Sequence, residues 1–198
     1  MRYAADHKSQ SRQRILAAAS RQLRGKGPGS IAVGQVTAEA GLTHGAFYAH
    51  FPSKKVLVAE AIESMFETAQ PARGRLAEAL ADEHSDMRAA LRAFLGDYLS
   101  PRHRDGAERG CPLPALAADM ARSDGAPRER FAAGMARIIT RIEAALARIG
   151  TDRPGAEAST IVAQMVGAVA VARALGAGPR SDAILRDSLA ALIERYAL

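Results

Sequence analysis

The sequence predicts an all-α protein, and three observations support this prediction. The chain has 198 residues, of which 48% are hydrophobic but only 5% aromatic, and it contains no tryptophan. Alanine, the residue with the strongest helix propensity, is abundant throughout. Apolar side chains recur at helical spacing along the chain, whereas the β-branched runs that build sheets are few. We therefore expect an all-α fold of about nine helices.

The net charge of +6 is unevenly distributed along the chain. Residues 1–55 carry nine lysines and arginines against Asp6 and Glu39, a surplus of +7, whereas residues 56–198 carry −1. A basic module attached to a neutral one is typical of nucleic-acid binding, although a solvated basic face gives the same numbers. We place a domain boundary after residue 55.

Four helices are predicted near the N-terminus. The first spans about residues 9–23, where apolar residues share one face and the sequence GKGPGS then ends the helix. The segment VGQVTAEAGLTHGAFYAHF contains two short helices separated by three residues. The fourth helix begins after Ser53, whose hydroxyl suits an N-cap, and links the two domains.

The two short helices have the pattern of a helix-turn-helix. Gly41 can take the left-handed conformation that ends the first helix, and Thr43 is expected to cap the second. Their inward positions are apolar: Val33, Val36, Ala40, Leu42, Phe47 and Phe51. The outward face of the second helix is narrow and nearly uncharged, and consists of His44, Gly45, Tyr48, Ala49 and His50. Small residues let a helix enter a groove, and polar aromatics hydrogen-bond bases and phosphates, which predicts a recognition helix in the major groove.

Two lysines in the first turn of the fourth helix also point to DNA. Lys54 and Lys55 each oppose the helix macrodipole by roughly 0.3–1 kcal/mol, so an anion is favoured beside them. A DNA phosphate there would contact both the lysines and the backbone N–H groups. Two fully hydrated lysines are the alternative. Combined with the helix-turn-helix pattern, the lysines favour double-stranded DNA as the partner.

The rest of the chain is predicted to be helical to its end. Pro112 and Pro127 are placed to open helices, because a proline loses no hydrogen bond at the first helical position. Residues 161–172 contain Gln164 as their one polar residue, so this helix must be buried on more than one side. A two-fold homodimer that pairs the last two helices in a four-helix bundle would bury them, and so would the core of a large domain.

The segment GLTHGAFYAHFPSKKVLVAEAI resembles the recognition helix and following helix of TetR-family transcriptional regulators, and the resemblance covers about residues 10–66. It implies an all-helical homodimer with an N-terminal three-helix DNA-binding domain, here 1–55, and a larger C-terminal domain, here 56–198, that binds a small inducer and dimerises. The positions similar to the family's operator contacts are Thr43, His44, Gly45, Tyr48, His50 and Lys54, and the dipole argument adds Lys55. Ala32 departs from the family, which has Ser or Thr there to cap the second helix and touch phosphate. That contact is either missing or supplied by Ser30.

The predicted function is that of a repressor that binds a palindromic operator as a dimer and is released by a small apolar or electrophilic effector. No cofactor or metal is expected. Met and aromatic residues line adaptable apolar cavities, although core packing is the commoner explanation for most of them. The candidate pocket residues are Phe94, Tyr98, Cys111, Leu116, Met120, Phe131, Met135, Ile138 and Met165. Cys111 stands at the start of a predicted helix, where the dipole can activate a thiol as an electrophile sensor, but a small buried apolar residue is the favoured interpretation.

Two alternatives to an inducible repressor remain open. One is an architectural DNA-binding protein that responds to no inducer. The other is a thiol-dependent helical enzyme, but the sequence contains no HExxH, GxSxG, P-loop or dinucleotide motif, so no enzyme activity is predicted. No uninterrupted apolar run reaches the roughly 18 residues of a membrane span, and the N-terminus is polar. We therefore expect a cytoplasmic protein with no membrane partner.

Overall fold

The computed structural model describes residues 2–68 and 71–198, and within these ranges every regular element is a helix. Nine of the described helices have seven or more residues, which confirms the all-α prediction. The α-helices are α1 Arg2–Lys26, α2 Val33–Glu39, α3 Lys54–Thr68, α4 Pro71–Ala81, α5 Met87–Tyr98, α6 Pro101–Asp105, α7 Pro112–Ala121, α8 Gly125–Ile149, α9 Pro154–Leu175 and α10 Pro179–Tyr196. Short 3-10 helices span Pro28–Ser30, His44–Ala49 and Ala107–Arg109.

The chain divides into two compact units, and each contains two segments of sequence. The first unit comprises the chain up to Thr68 together with Cys111–Gly134, and the second comprises Ala69–Gly110 with Met135–Leu198. Packing therefore groups the residues differently from a boundary after residue 55. The assignment of DNA binding to 1–55 and of ligand binding and dimerisation to 56–198 stays a prediction.

The first unit is built around α1 and α3. Their contact is apolar, because α1 buries one stripe that includes Ile15 and Leu23, and α3 buries Leu57 and Met65. Helix α7 packs on both α1 and α3. Because α3 packs against both α1 and α7, the first compact unit includes α7 as well as the helix-turn-helix segment.

Two helix starts differ from the sequence prediction, and one agrees. Helix α1 begins at Arg2 instead of near residue 9, because residues 2–8 continue the helix without an apolar stripe to mark it. Helix α8 begins at Gly125, so Pro127 is its third residue and not its first. Pro112 is the first residue of α7, as predicted.

In the second unit, arginines bind the ends of helices. Arg88 donates to the carbonyl of Tyr196 at 2.7 Å, and Arg148 donates to the carbonyls of Ala79 and Glu83 at 2.9 and 3.0 Å. These carbonyls lie at or beyond helix C-termini, where backbone acceptors lack intrahelical partners. The guanidinium groups thus supply donors and a favourable charge for the helix dipoles.

Helix α9 is the most apolar of the long helices. By length and composition it is long and apolar enough to cross a membrane, because its most apolar stretch of 18 residues has a mean hydropathy of 1.6. The sequence prediction of no membrane span counted only uninterrupted apolar residues, and polar residues interrupt this stretch. A core helix of a soluble protein passes the same test. Only 39% of that 18-residue stretch is buried in the single chain, however, and the side chains of Val171 and Leu175 are about half exposed.

Candidate nucleic-acid interface

The turn between α2 and the 44–49 helix, as we name the 3-10 helix His44–Ala49, has the geometry predicted from the sequence. Gly41 has φ +70, in the left-handed region where a glycine is unstrained. The amide of Leu42 then donates to the carbonyl of Thr37 at 2.8 Å and closes the end of α2. Four of the six predicted inward residues are buried, namely Val36, Ala40, Phe47 and Phe51, whereas Val33 and Leu42 are half-buried. The helix-turn-helix thus has an apolar interior.

Thr37 belongs to this interior as well, although a search for apolar residues alone does not include it. The side chain is 1% exposed, and its hydroxyl donates to the carbonyl of Val33 at 3.0 Å. A threonine whose hydroxyl bonds back to the preceding turn can be buried without an unpaired polar group.

The 44–49 helix differs from the prediction in its winding and in its cap. Thr43 precedes the helix in an extended conformation, but its hydroxyl makes no capping hydrogen bond. The reason is the tighter 3-10 winding, in which the Ala46 amide donates to the Thr43 carbonyl at 3.0 Å and so has its partner in the backbone. Thr43 thus occupies the predicted N-cap position, but its exposed side chain makes no capping hydrogen bond.

The outward face of the 44–49 helix is exposed as predicted. His44, Gly45 and Tyr48 are all exposed, and Tyr48 is 63% exposed. The Tyr48 ring contacts the Phe47 ring edge-on, with centroids 5.1 Å apart, and lies 6.2 Å from the His44 ring. The two polar aromatic rings are thus held side by side above a buried aromatic base.

His50 has different surroundings from the rest of this face. It is half-buried, and its Nδ1 atom is buried without a hydrogen-bond partner among the described residues. Burial lowers the pKa of His50, and the nearby positive charges of Lys8 and Arg12 lower it further. The imidazole is therefore held in its neutral form, and of the predicted DNA contacts it is less accessible than His44 or Tyr48.

The two lysines at the start of α3 are both exposed, and one of them has an anionic partner within the chain. The Nζ atom of Lys55 lies 2.7 Å from Oδ1 of Asp124, in the turn between α7 and α8. The hydrogen bond from Lys55 lowers the pKa of the Asp124 carboxyl. Sequence reasoning did not find Asp124, because 69 residues separate it from Lys55. Ser53 caps α3 as predicted, and its hydroxyl accepts from the Val56 amide at 3.2 Å.

Other basic side chains of the first unit are also paired. Arg12 forms an ion pair with Glu60 and lies over the Phe51 ring, 4.8 Å from its centroid. Arg21 donates to Glu39 at 2.7 Å. Glu60 lies outside residues 1–55 and so offsets part of their basic surplus, whereas Glu39 is already counted in it.

The start of α2 carries no side-chain cap. Ala32 occupies the N-cap position in an extended conformation, and no side chain bonds the first amides of the helix. The hydroxyl of Ser30 donates to the carbonyl of Gly27 at 2.7 Å instead. The side-chain cap is therefore missing and is not supplied by Ser30, while the two alternatives for the phosphate contact stay open.

The predicted ligand-pocket residues are divided between the two units. Cys111, Leu116, Met120 and Phe131 belong to the first unit, and Phe94, Tyr98, Met135, Ile138 and Met165 belong to the second. All are buried except Met135, which is 36% exposed. A cavity in the second unit, with a volume of about 10 Å³, is lined by Leu76, Phe94, Ile138, Arg141 and Ile142. It has room for about one water molecule, so two of the nine predicted residues line a space that is smaller than a ligand.

Cys111 is fully buried at the start of α7. Its Sγ atom accepts a weak hydrogen bond from the Leu113 amide at 3.5 Å, which places it at the N-cap of the helix as predicted. A thiol with no exposed surface has no direct access to an electrophile. The burial supports the interpretation of Cys111 as a small apolar residue of the core.

Models of two protein families match the chain. One is described as "Bacterial regulatory proteins, tetR family" and matches residues 15–61. The other is described as "Tetracyclin repressor-like, C-terminal domain" and matches residues 87–188. No curated protein matches the sequence. The first match covers the whole helix-turn-helix, and the second covers about half of the chain.

Solved structures with the same fold match nearly the full length. A TetR transcriptional regulator from Chloroflexus aurantiacus J-10-FL is 25% identical, with a TM-score of 0.79 over 97% of this chain and 96% of that one. A TetR-family regulator from Agrobacterium tumefaciens is 22% identical, with a TM-score of 0.78 over 95% and 98% of the two chains. The reduced form of NemR from E. coli is 21% identical, with a TM-score of 0.78 over 92% and 94%.

Proposed function

Because the chain belongs to the TetR family of bacterial regulatory proteins, we propose that this DNA-binding transcriptional regulator is a homodimeric repressor that leaves a palindromic operator when a small inducer binds. One observation carries the proposal. His44 and Tyr48 are exposed side by side on a helix whose other face, with Phe47, is buried. A rigid apolar base that presents polar rings outward suits the reading of base edges in a major groove.

The proposed DNA contacts fall into two groups. Thr43, His44, Gly45 and Tyr48 lie on or beside the 44–49 helix and would approach base edges and nearby phosphates. Lys54 and Lys55 would bind phosphate at the N-terminus of α3, where the backbone amides and the helix dipole add to the attraction. His50 is neutral and half-buried, so its proposed part is to support the end of the recognition helix beside the DNA and to donate one hydrogen bond.

Dimerisation through α9 and α10 is supported by surface that the single chain leaves open. Val171 and Leu175 on α9 are 50% and 53% exposed, on a helix with a mean hydropathy of 1.6. A two-fold four-helix bundle would bury these side chains against their symmetry mates. It would also place two recognition helices about 34–36 Å apart, which requires a palindromic operator.

The inducer is proposed to bind in the second unit. The cavity beside Phe94 and Ile138 is far smaller than the roughly 300–1,000 Å³ of a typical ligand pocket. The inducer would therefore have to bind a conformation in which that cavity is larger. Because it binds that conformation more tightly than the present one, it would shift the equilibrium between them. The burial of Cys111 favours an apolar over an electrophilic effector, and the proposed location is the cytoplasm.

Selection of bound sequences from random DNA by the purified protein tests this function. We expect a palindrome with half-sites about one helical turn apart, bound about 10³-fold or more above unrelated DNA. Affinity should fall steeply between 50 and 300 mM salt, because lysine contacts to phosphate release counterions. Equal affinity for all sequences would point to the architectural alternative, and an affinity that is flat with salt would contradict the phosphate contacts.

A further inference from the structure

We propose that Asp124 is a positioning residue for operator binding: its carboxylate holds the Lys55 ammonium group in the DNA-free protein, and an operator phosphate displaces it. The inference rests on the proposed function, since it requires Lys55 to bind phosphate. It adds a residue from outside the helix-turn-helix that sets how strongly the protein binds DNA.

The contact between the two residues is direct, and the local backbone is shaped for it. The Lys55 Nζ atom lies 2.7 Å from Asp124 Oδ1, which is the distance of a charge-assisted hydrogen bond. Gly125 follows Asp124 with φ +56. A Cβ atom at Gly125 would lie 3.1 Å from the Lys55 Nζ atom, so the glycine leaves room for the ammonium group.

The position of the pair explains why an anion is found there. Lys54 and Lys55 both lie in the first turn of α3, where the helix dipole is also positive. The sequence predicts that an anion is favoured beside these charges, and Asp124 supplies one. A phosphate would satisfy the same ammonium group and carries the same sign of charge, so the carboxylate and the phosphate compete for Lys55.

Exchange of one anion for the other is feasible because the pair is exposed. The Lys55 and Asp124 side chains are 54% and 90% exposed, and exposed ion pairs are weak. Displacement still leaves a carboxylate close to the bound phosphate. Asp124 thus weakens DNA binding in two ways, because it occupies Lys55 before binding and repels the phosphate afterwards.

Operator binding by the full-length Asp124→Asn variant tests the proposal, with the operator taken from the selection experiment. We expect affinity to rise about three- to tenfold for the dimer at low salt, as expected from the energies of exposed ion pairs. Asp124→Glu keeps the charge and should bind like the wild type. Glu129→Gln removes one negative charge five residues away on α8 and controls for net charge, so its effect should be smaller. Thermal unfolding of each variant shows whether the turn is intact.

The Asp124→Asn substitution in a Lys55→Gln background distinguishes an effect that acts through Lys55 from a general effect of removing the negative charge. If Asp124 acts through Lys55, the gain from Asp124→Asn is much smaller there, because only the repulsion between Asp124 and the phosphate remains to be removed. An unchanged or weaker affinity of Asp124→Asn, or an equal gain in both backgrounds, would overturn the proposal while the repressor function stands. A wild-type protein that selects no DNA sequence would overturn both.

Discussion

Phe47 and Tyr48 are neighbours in the sequence with opposite surroundings. Phe47 is fully buried between Phe51, whose ring centroid lies 5.7 Å away, and the interior of the helix-turn-helix. Tyr48 is 63% exposed. At the scale of single residues, Phe47 contributes to the core, whereas Tyr48 is free for the DNA contact that we propose for it.

The Tyr48→Phe variant should bind the operator more weakly without loss of stability. The ring contacts with Phe47 and His44 remain, and only the hydroxyl is removed. We expect a loss of about 0.5–1.5 kcal/mol of binding free energy per half-site, measured by fluorescence anisotropy. The free energy of unfolding in urea should change by less than about 0.5 kcal/mol. Phe47→Ala is the control for folding and should cost about 3–5 kcal/mol of stability. A Tyr48→Phe protein with unchanged affinity would remove the hydroxyl from the set of DNA contacts.

His50 should make stability depend on pH. Its pKa in the folded chain is lowered from 6.5 by burial and by Lys8 and Arg12, so the unfolded chain binds the proton more readily. The stability gained from the neutral ring is present above pH 6.5 and is lost as the pH falls towards the lower folded-state pKa. Urea unfolding at pH 7.5 and 5.5 should therefore show a larger decrease for the wild type than for His50→Gln. Equal decreases would show that His50 titrates alike in both states.

At the scale of helices, the contact between α3 and α8 depends on Gly134. A Cβ atom there would lie 2.3 Å from the Phe66 ring, which itself packs edge-on against Phe131 at 6.0 Å. Ring carbons within a packed core cannot move away as the end of a flexible side chain would. The packing against Phe66 thus requires a glycine here, even though glycine has a poor helix propensity.

Gly134→Ala should destabilise the protein by about 1–3 kcal/mol, as overpacked cores do. Gly25→Ala on α1 is the matched control, because no atom lies within 4 Å of its added Cβ. That variant should gain up to about 1 kcal/mol from the higher helix propensity of alanine. The midpoints of urea unfolding give both values. A stabilised Gly134→Ala protein would show that Phe66 moves aside freely.

Features that depend on nearby residues were predictable from the sequence. The left-handed Gly41, the Ser53 cap and the buried Phe47 all follow from spacing within one or two turns of helix. Thr43 is at the predicted N-cap position, but its side chain makes no capping hydrogen bond, because the 3-10 winding gives the Ala46 amide a backbone partner.

Features that depend on distant contacts could not be predicted in this way. Asp124 is 69 residues from Lys55, and no pattern of spacing connects them. The clash of a Cβ atom at Gly134 with Phe66 is also invisible in the sequence, because a glycine inside a helix has no pattern of its own. The exposed face of the 44–49 helix was thus predictable from the sequence, but the acidic partner of Lys55 was not.

At the scale of the whole molecule, dimerisation should depend on the exposed apolar surface of α9. The double variant Val171→Glu, Leu175→Glu places like charges at positions that are about half exposed in the single chain. We expect light scattering after gel filtration to give the monomer mass. Affinity for the palindromic operator should fall about 100-fold or more, because the two half-sites are no longer bound together.

Ala144→Glu is the control for this variant, since it adds a charge to an exposed position of α8 in the same unit. It should remain a dimer with normal operator affinity. A double α9 variant that keeps the dimer mass would show that the two chains associate through another surface.

The division of each compact unit into two segments affects how the protein forms during synthesis. The first unit contains the chain up to Thr68 but also needs Cys111–Gly134, whose helix α7 packs on α1 and α3. A ribosome that has released only the chain up to Thr68 has therefore not yet released the residues that cover α1 and α3. The compact unit that contains the helix-turn-helix becomes complete only after Ala69–Gly110 has also been made. A hybrid regulator joined after Thr68 would have to supply a substitute for α7, and without it the apolar residues of α1 and α3 would be open to chaperones and proteases.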